Sequence, residues 1–423
     1  MQQVNHYMMR FVPAMQRLCT VTNYLVAPKF SFRVRHFAMW LIMVAIVFAA
    51  IEGGAAAVYW LVVIPRAASL VWAPDLALAR KVWSEAPAVT DTELVWPVDP
   101  TAPPRDSSGA KYNADFPEPG RACVSAYGDS FVWGEDVPLA DGWIEQLSRL
   151  LHCRVANYGV SAYGTDQAYL RFRKTTSDEA PVVMLGIFPE NLMRNVNQYR
   201  GLLGMGLQPS SVKGRYVLDA AGSLQWIARP PLGPQDVVTL FRRPADLLPH
   251  EYFLPDSRDG PVTPSLLHTV SLVRLALVPR VRTAAVGRPL WADFFADDHP
   301  SGALPLTVAL VDAFTQEARQ RHKRALVVIL PSCSSFRGRS AHGEFEYAPL
   351  VAALTARGID VIDGGTALSA TLGARSYFTL YAQPATCVGH FGREGGAMMA
   401  EIVAAALIER GLVSEASSVL HQN

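Results

Sequence analysis

Ala122-Cys123-Val124-Ser125-Ala126-Tyr127-Gly128-Asp129-Ser130-Phe131 carries an apolar run straight into a Gly-Asp-Ser turn. Ala122 to Tyr127 reads as a strand, and Trp143-Ile144-Glu145-Gln146-Leu147 belongs to an amphipathic helix expected over Leu139 to Leu151, with Asp141 as its N-cap. A serine on a strand-to-helix turn projects its hydroxyl from the carboxyl edge of a sheet. There it is a candidate nucleophile if a base reaches it. The candidate base is His390, in a lone Gly389-His390-Phe391 near the far end of the chain. Taken singly each residue has a plainer reading: a chance turn for Gly-Asp-Ser, a local cap for His390, a loop organiser for Asp129.

Outward from this turn, short apolar runs alternate with helical stretches. Strands are expected at Arg154 to Tyr158, Pro181 to Phe188, Arg324 to Leu330 and Val361 to Asp363. Helices are expected at Thr165 to Thr175, Pro305 to Arg321, Tyr347 to Arg357 and Gly395 to Arg410. Such alternation implies a parallel sheet with helices on both faces, an α/β, flavodoxin-like three-layer sandwich. Sites in such sheets lie at the carboxyl ends of the strands. Residues 198–299 break the rhythm and read as an insertion. Within it Asp219-Ala220-Ala221-Gly222 separates two strand-like segments as a hairpin turn, and Leu266 to Val278 looks helical.

The chain has 423 residues, half of them hydrophobic, and a net charge of +1. No basic excess points to nucleic acid, no zinc-type Cys/His spacing appears, and no metal or organic cofactor is implied. Residues 37–64 are almost wholly apolar, interrupted by Glu52-Gly53-Gly54. That length crosses a hydrocarbon core of about 30 Å with some tilt. Trp40, Tyr59 and Trp60 are candidate interface anchors. Glu52 is expected to mark a distortion near the outer interface or to pair within an assembly. Arg10, Arg17, Lys29, Arg33 and Arg35 precede the span without any acidic residue. The positive-inside rule therefore places residues 1–36 in the cytoplasm and the remainder outside. Met8 to Val26 reads either as a membrane-surface helix or as disordered chain. Residues 65–119 form a connector, rich in proline from Pro87 to Pro119 and expected to be extended. The main domain is expected over residues 120–412, with a tail at 413–423.

Four segments together resemble the SGNH, or GDSL, hydrolase superfamily. They are Gly128-Asp129-Ser130-Phe131, Asn157 to Gln167, Leu185 to Asn191, and Gly389-His390-Phe391 with Glu394-Gly395-Gly396. The resemblance covers roughly Arg121 to Leu412 and leaves the insertion unmatched. It implies Ser130 as nucleophile, His390 as general base, and an oxyanion hole from the Ser130 N–H, an N–H at Ala162 or Gly164, and the Asn191 side chain. The chain departs from the family at the position three before His390, where the usual aspartate is Cys387. Candidate replacements for the acid are Asp363 and Glu394, with Asp129 as a supporting residue. Glu190, Arg194, Asn195, Tyr199 and Arg200 form a polar cluster that binds substrate on one reading and is a solvated loop on another.

Cys123, Cys153, Cys333 and Cys387 fall in the part expected to face an oxidising compartment. A Cys333–Cys387 disulfide is one way to fix the histidine loop without the aspartate; Cys123 and Cys153 are expected to be buried thiols. By resemblance the chain is a serine esterase or O-acyltransferase acting on acyl, chiefly acetyl, esters of a cell-envelope or exported polysaccharide. It would sit in a bacterial inner membrane with its domain in the periplasm; a transferase would take its acyl groups from a separate membrane donor protein or a soluble acyl donor, and an export protein is a further expected partner. The alternatives are a catalytically silent glycan-binding or scaffolding subunit and a lipase.

Overall fold

The computed structural model describes residues 32–87, 89, 91–95, 105–117 and 121–413. The expected surface helix Met8 to Val26 and the tail beyond Val413 lie outside these residues. At the centre is β3 (Val182–Ile187), buried at every position. A strand covered on both faces must be apolar on both, which is why Val182-Val183-Met184-Leu185 reads as a continuous run. On one side β3 pairs with β1 (Val124–Tyr127), which pairs with β2 (Val155–Asn157). On the other it pairs with β6 (Arg324–Ile329), which pairs with β7 (Val361–Asp363). All four pairings are parallel, and the order is β2-β1-β3-β6-β7. With the intervening hairpin of residues 215–227 set aside this is the flavodoxin-like order, whose direction reverses between β1 and β3. The crevice at that reversal opens beside the end of β1, where Gly128-Asp129-Ser130 begins.

The helices form two layers. α4 (Trp143–Leu151) packs against α14 (Arg393–Glu409) and α14 against α13 (Gly364–Leu372). Across the sheet, α5 (Thr165–Lys174) packs against α10 (Ala303–Gln320), and α10 against α12 (Ala348–Ala356). Leu306, Leu310 and Phe314 of α10 repeat at helical spacing and are buried. Phe314 meets Phe172 of α5 at 4.8 Å between ring centroids. Burying each such side chain contributes on the order of 2 kcal/mol. The helix expected from Leu139 starts at Trp143 instead: Leu139–Asp141 is a separate 3-10 turn, and Gly142 rather than Asp141 precedes α4.

The insertion is more firmly seated than its irregular sequence suggests. β4 (Arg215–Leu218) and β5 (Leu224–Ile227) form the expected hairpin. Asp219 Oδ1 accepts from Ala221 N–H and Ser223 N–H at 2.8 and 2.9 Å, so the turn is organised by its first side chain. The buried Glu251 accepts from the N–H groups of Gln198, Tyr199 and Phe253. Lys213, fully buried, pairs with Asp166 on α5.

At the N-terminus, α1 (Phe32–Val58) continues through a π-helical turn, Tyr59–Val63, and a last turn to Ala67. Its apolar part is long enough to cross a membrane. The helix passes Glu52 without a break; the distortion expected there falls at Tyr59–Val63. α2 (Leu76–Glu85), N-capped by Asp75, lies inside what reads as connector. Part of the following segment packs on the domain: Lys111 is buried and pairs with Glu145 of α4 at 3.3 Å.

Cys123 and Cys153 are a disulfide rather than two thiols. They precede neighbouring parallel strands, which brings their Cα atoms to 6.1 Å. Cys333 and Cys387 form a second disulfide, the pairing considered as one way to fix the histidine loop, with Cα atoms 5.7 Å apart.

Candidate active site

The nucleophile turn is held from below. Gly128 packs so closely that a Cβ there would stand 2.4 Å from Val132 Cγ2 and 2.8 Å from the Gly186 carbonyl, so only glycine fits. Asp129 caps the short helix α3 (Ser130–Trp133), its Oδ1 accepting from Phe131 N–H at 2.9 Å. Asp129 is fully buried, and burial raises its pKa against the opposing pull of Arg194, 3.6 Å away. From the next block, Asn157 donates to the Val132 carbonyl and accepts from Gly159 N–H, both at 3.0 Å. Asp129 thus organises the loop. These contacts place Ser130, 5 % exposed, at the carboxyl end of β1.

His390 arrives from the other end of the chain on a hairpin, β8 (Tyr381–Gln383) and β9 (Val388–Phe391). Ser130 Oγ lies 2.7 Å from His390 Nε2. The ring packs edge-on to Phe131 at 4.8 Å, and Phe131 in turn meets Phe188 and Phe391. On the far side of the imidazole stands Asp136. Its Oδ2 accepts from His390 Nδ1 at 2.9 Å and from His390 N–H at 3.0 Å. These two hydrogen bonds hold the Asp136 pKa below the usual carboxylate range. A ring nitrogen that donates to a carboxylate leaves the opposite nitrogen free to accept, so Nε2 is set to take the serine proton.

Asp136 was not among the acids expected from sequence. Asp363 instead N-caps α13 and binds the Tyr347 hydroxyl at 2.9 Å. Glu394 pairs with Arg375 at 3.0 Å. Neither contacts His390. The signal available in the sequence was the acidic pair Glu135-Asp136 just beyond α3, on the nucleophile's own loop rather than the histidine's. Gly389 makes the arrangement fit. It has φ +93°, and a Cβ there would lie 2.7 Å from Asp136 Oδ2. Cys387, in the place of the expected aspartate, is the anchor of the hairpin. Its disulfide reaches Cys333 at the start of α11 (Cys333–His342), just after β6, and the Tyr381 hydroxyl donates to the Pro331 carbonyl at 2.9 Å.

Of the two candidate oxyanion donors in the second block, Gly164 directs its N–H toward Gln167 Oε1 at 3.4 Å, as the start of α5. Ala162 takes the left-handed backbone, φ +64°, and its N–H has no acceptor among the described residues. Its carbonyl accepts from Arg200 at 2.6 Å, while the neighbouring Tyr163 carbonyl accepts from Arg194 at 3.0 Å. Asn191, at the start of the short helix α6 (Asn191–Asn195), is 1 % exposed, with its carboxamide beside the Asp129 carboxylate.

The cluster expected to bind substrate, or else to be a solvated loop, is neither. Arg194, Asn195, Tyr199 and Arg200 are all buried. Asn195 donates to Thr307 of α10 at 2.9 Å, and Tyr199 stands edge-on to Trp72 and Phe241, which stack on each other. The insertion folds back over them, and the guanidinium groups of Arg194 and Arg200 brace the Ala162–Tyr163 turn. Burial and the neighbouring Arg194 push the Arg200 guanidinium down to about 9. Glu190, which pairs with Arg194 at 3.2 Å, keeps part of its surface open. A second carboxylate does face the reacting atoms: Glu135 Oε2 accepts from Ser161 Oγ at 2.9 Å and stands 3.8 Å from His390 Nε2.

No family model and no curated protein matches the chain. Among solved structures it is similar to a protein of Desulfitobacterium hafniense DCB-2 described as lipolytic and of the G-D-S-L family. The identity is 13 %, the TM-score is 0.32, and the match covers 67 % of this chain and 98 % of that one. A member of the lipolytic G-D-S-L family from Veillonella parvula DSM 2008 matches at 13 % identity and a TM-score of 0.31, over 68 % of this chain and 98 % of that one. It is the sheet order, with the serine turn at its point of reversal and the histidine brought to it from before the last helix, that makes this an SGNH/GDSL hydrolase-like fold.

Proposed function

We propose that this protein is a serine esterase or O-acyltransferase. The observation that carries the reading is the continuous Ser130–His390–Asp136 relay. In the proposed reaction Ser130 Oγ attacks the ester carbonyl while His390 Nε2 takes its proton. Asp136 holds the imidazole in the required tautomer and stabilises the imidazolium. The tetrahedral oxyanion is received by the N–H groups of Ser130 and Ala162, with Asn191 as the third candidate donor. Collapse expels the alcohol, protonated by His390, and leaves an acyl-serine. Water or a sugar hydroxyl then attacks under the same base. Glu135 is placed to accept a hydrogen bond from the entering hydroxyl.

We place the domain outside the cytoplasm of a bacterial cell, carried by α1 across the inner membrane. Two disulfides and the cationic flank before the span support this. The substrate we propose is an acyl ester, chiefly acetyl, of an envelope or exported polysaccharide. If the acceptor is a sugar, a separate membrane protein or a soluble donor provides the acyl group.

The test is the full-length protein in detergent, incubated with an acetyl ester reporter and a fluorophosphonate probe. Labelling and turnover that disappear in Ser130→Ala and His390→Ala are expected, with rate losses of about 10⁴-fold or more. A folded wild-type protein that neither labels nor turns over would sink the esterase reading and favour a glycan-binding role.

A further inference from the structure

Glu52 sits inside an apolar helix, and its carboxylate is engaged by a different part of the chain. It accepts from the backbone N–H groups of His268 and Thr269, the latter at 3.2 Å, and from the Thr269 hydroxyl at 2.7 Å. His268 and Thr269 open α8 (His268–Leu277), whose own N-cap position, Leu267, offers no side-chain acceptor. The first N–H groups of a helix need acceptors. Here α1 provides one across the interface. The His268 ring completes the contact: Nδ1 lies 3.1 Å from Glu52 Oε1, and Nε2 accepts from the Trp60 indole at 3.2 Å. Since indole only donates, the proton of the ring is on Nδ1 and points at Glu52.

From there α8 runs along the outer half of α1. Leu275 and Val278 pack with Tyr59 and Leu70, and with Val262 of the insertion. The opposite face of α8 is uncovered and apolar. Val270, Val273 and Leu277, spaced three and four residues apart, are 40, 54 and 65 % exposed, and Leu266, just before the first turn, is 99 % exposed. That spacing is a single helical stripe. It continues the exposed surface of α1 at Val58, Trp60, Leu61 and Val62. Residues 37–64 make about 42 Å of helix, so a core of about 30 Å is crossed with tilt, and Glu52 lies within the half of the span nearer the domain. The start of α8 bonds to it at that depth.

We infer that α8, with Leu266 at its tip, is set into the hydrocarbon of the bilayer leaflet nearest the α/β domain, and that Glu52 is its cap within the membrane. The occupant of the apolar stripe is lipid acyl chain. An acid in a span is costly unless it is satisfied; these four donors satisfy it. An exposed leucine at a helix tip is at home in lipid. The consequence is that the domain is clamped against the membrane surface at two elements rather than hung from one. This rests on reading α1 as a membrane span.

The test uses the full-length protein with Cys19→Ser, the other cysteines being held in disulfides. A nitrobenzoxadiazole label is placed on Leu266→Cys, on Val47→Cys in mid-span, or on Gln225→Cys in the exposed hairpin. Each protein is reconstituted in phosphatidylcholine vesicles with brominated acyl chains, and iodide is the water-side quencher. We expect bromolipid to quench Leu266 and Val47 and to spare Gln225, and Glu52→Leu to lower quenching at Leu266 at least twofold. Quenching at Leu266 that survives Glu52→Leu unchanged overturns the capping role. Iodide access at Leu266 with Val47 still quenched overturns the inference and leaves the span standing. Shielding of Leu266 from both quenchers means a protein partner covers it, and also overturns it. A Val47 label reached by iodide overturns the span itself.

Discussion

The nucleophile turn and the histidine hairpin reach the same imidazole by different physics. Around Ser130 the supports are close in sequence or in the sheet: Asp129 caps its own helix, and Asn157 comes from the adjacent strand. Around His390 they are remote. Asp136 is 254 residues away and Cys387 is tied to Cys333, 54 residues earlier. A turn made by local rules is robust and visible. A turn made by long-range partners is set by whatever the fold brings beside it, so its acid can move to another loop without changing the chemistry.

The strongest way to break this comparison is Asp136→Asn. The amide keeps the shape but can leave Nδ1 as an acceptor, the wrong tautomer for a base at Nε2. Turnover of the acetyl ester should fall by about 10³- to 10⁴-fold. Asp363→Asn and Glu394→Gln should stay within about threefold of wild type, because a solvated pair such as Arg375–Glu394 has little energetic weight. A large loss in Glu394→Gln with none in Asp136→Asn would reverse the assignment.

Gly389→Ala probes the same junction from the backbone. The added methyl would meet Asp136 Oδ2 at 2.7 Å, and the position has φ +93°. Displacement of reacting groups by about 1 Å costs about 100-fold. We expect a loss of that order in kcat, with labelling of Ser130 slowed in proportion. Unchanged kinetics would mean that the hairpin adapts freely.

Removing the disulfide with Cys333→Ser and Cys387→Ser should act chiefly on stability. Its closed loop is worth about 4 kcal/mol in the chain-entropy account, so the unfolding temperature should drop by about 5 to 8 °C for a chain of this size. The rate in the folded fraction should fall by about tenfold or less, since Tyr381 still binds Pro331 and Asp136 still binds His390. Equal losses in rate and stability would show that the bridge, rather than Asp136, fixes the histidine.

The difference between the two regions also governs what could be read from the chain. The parallel sheet, the serine turn and the hairpin around Asp219 follow from short-range pattern: buried strands on both sides of β1, a capping aspartate, an Asx turn. Asp136 did not follow, because neither the position three before His390 nor the alternatives Asp363 and Glu394 point to the nucleophile's own loop. The buried fate of Arg194 and Arg200 was likewise invisible. Arginines after a strand read as solvent-facing until the insertion is seen to fold back, bringing Glu251 against their neighbours. Cys123 and Cys153 read as separate core residues until β1 and β2 are known to be adjacent.

The smallest effect is electrostatic and comes from the same carboxylate. Asp136 has a folded-state pKa below its ordinary value because it accepts from His390 twice. A depressed carboxylate pKa adds stability above the unfolded value, and that increment is lost as pH falls through the folded one. The stability gap that the Asp136 carboxylate opens over Asp136→Asn should therefore be present above about pH 5. It should narrow below about pH 4, where the unfolded carboxylate protonates first. The side chain is 39 % exposed, so the gap should be modest and should shrink further in high salt. Denaturant melts of the two proteins at several pH values read this directly. A gap that widens below about pH 4 would mean that Asp136 is protonated more readily in the folded state, and the orienting role would then pass to another group.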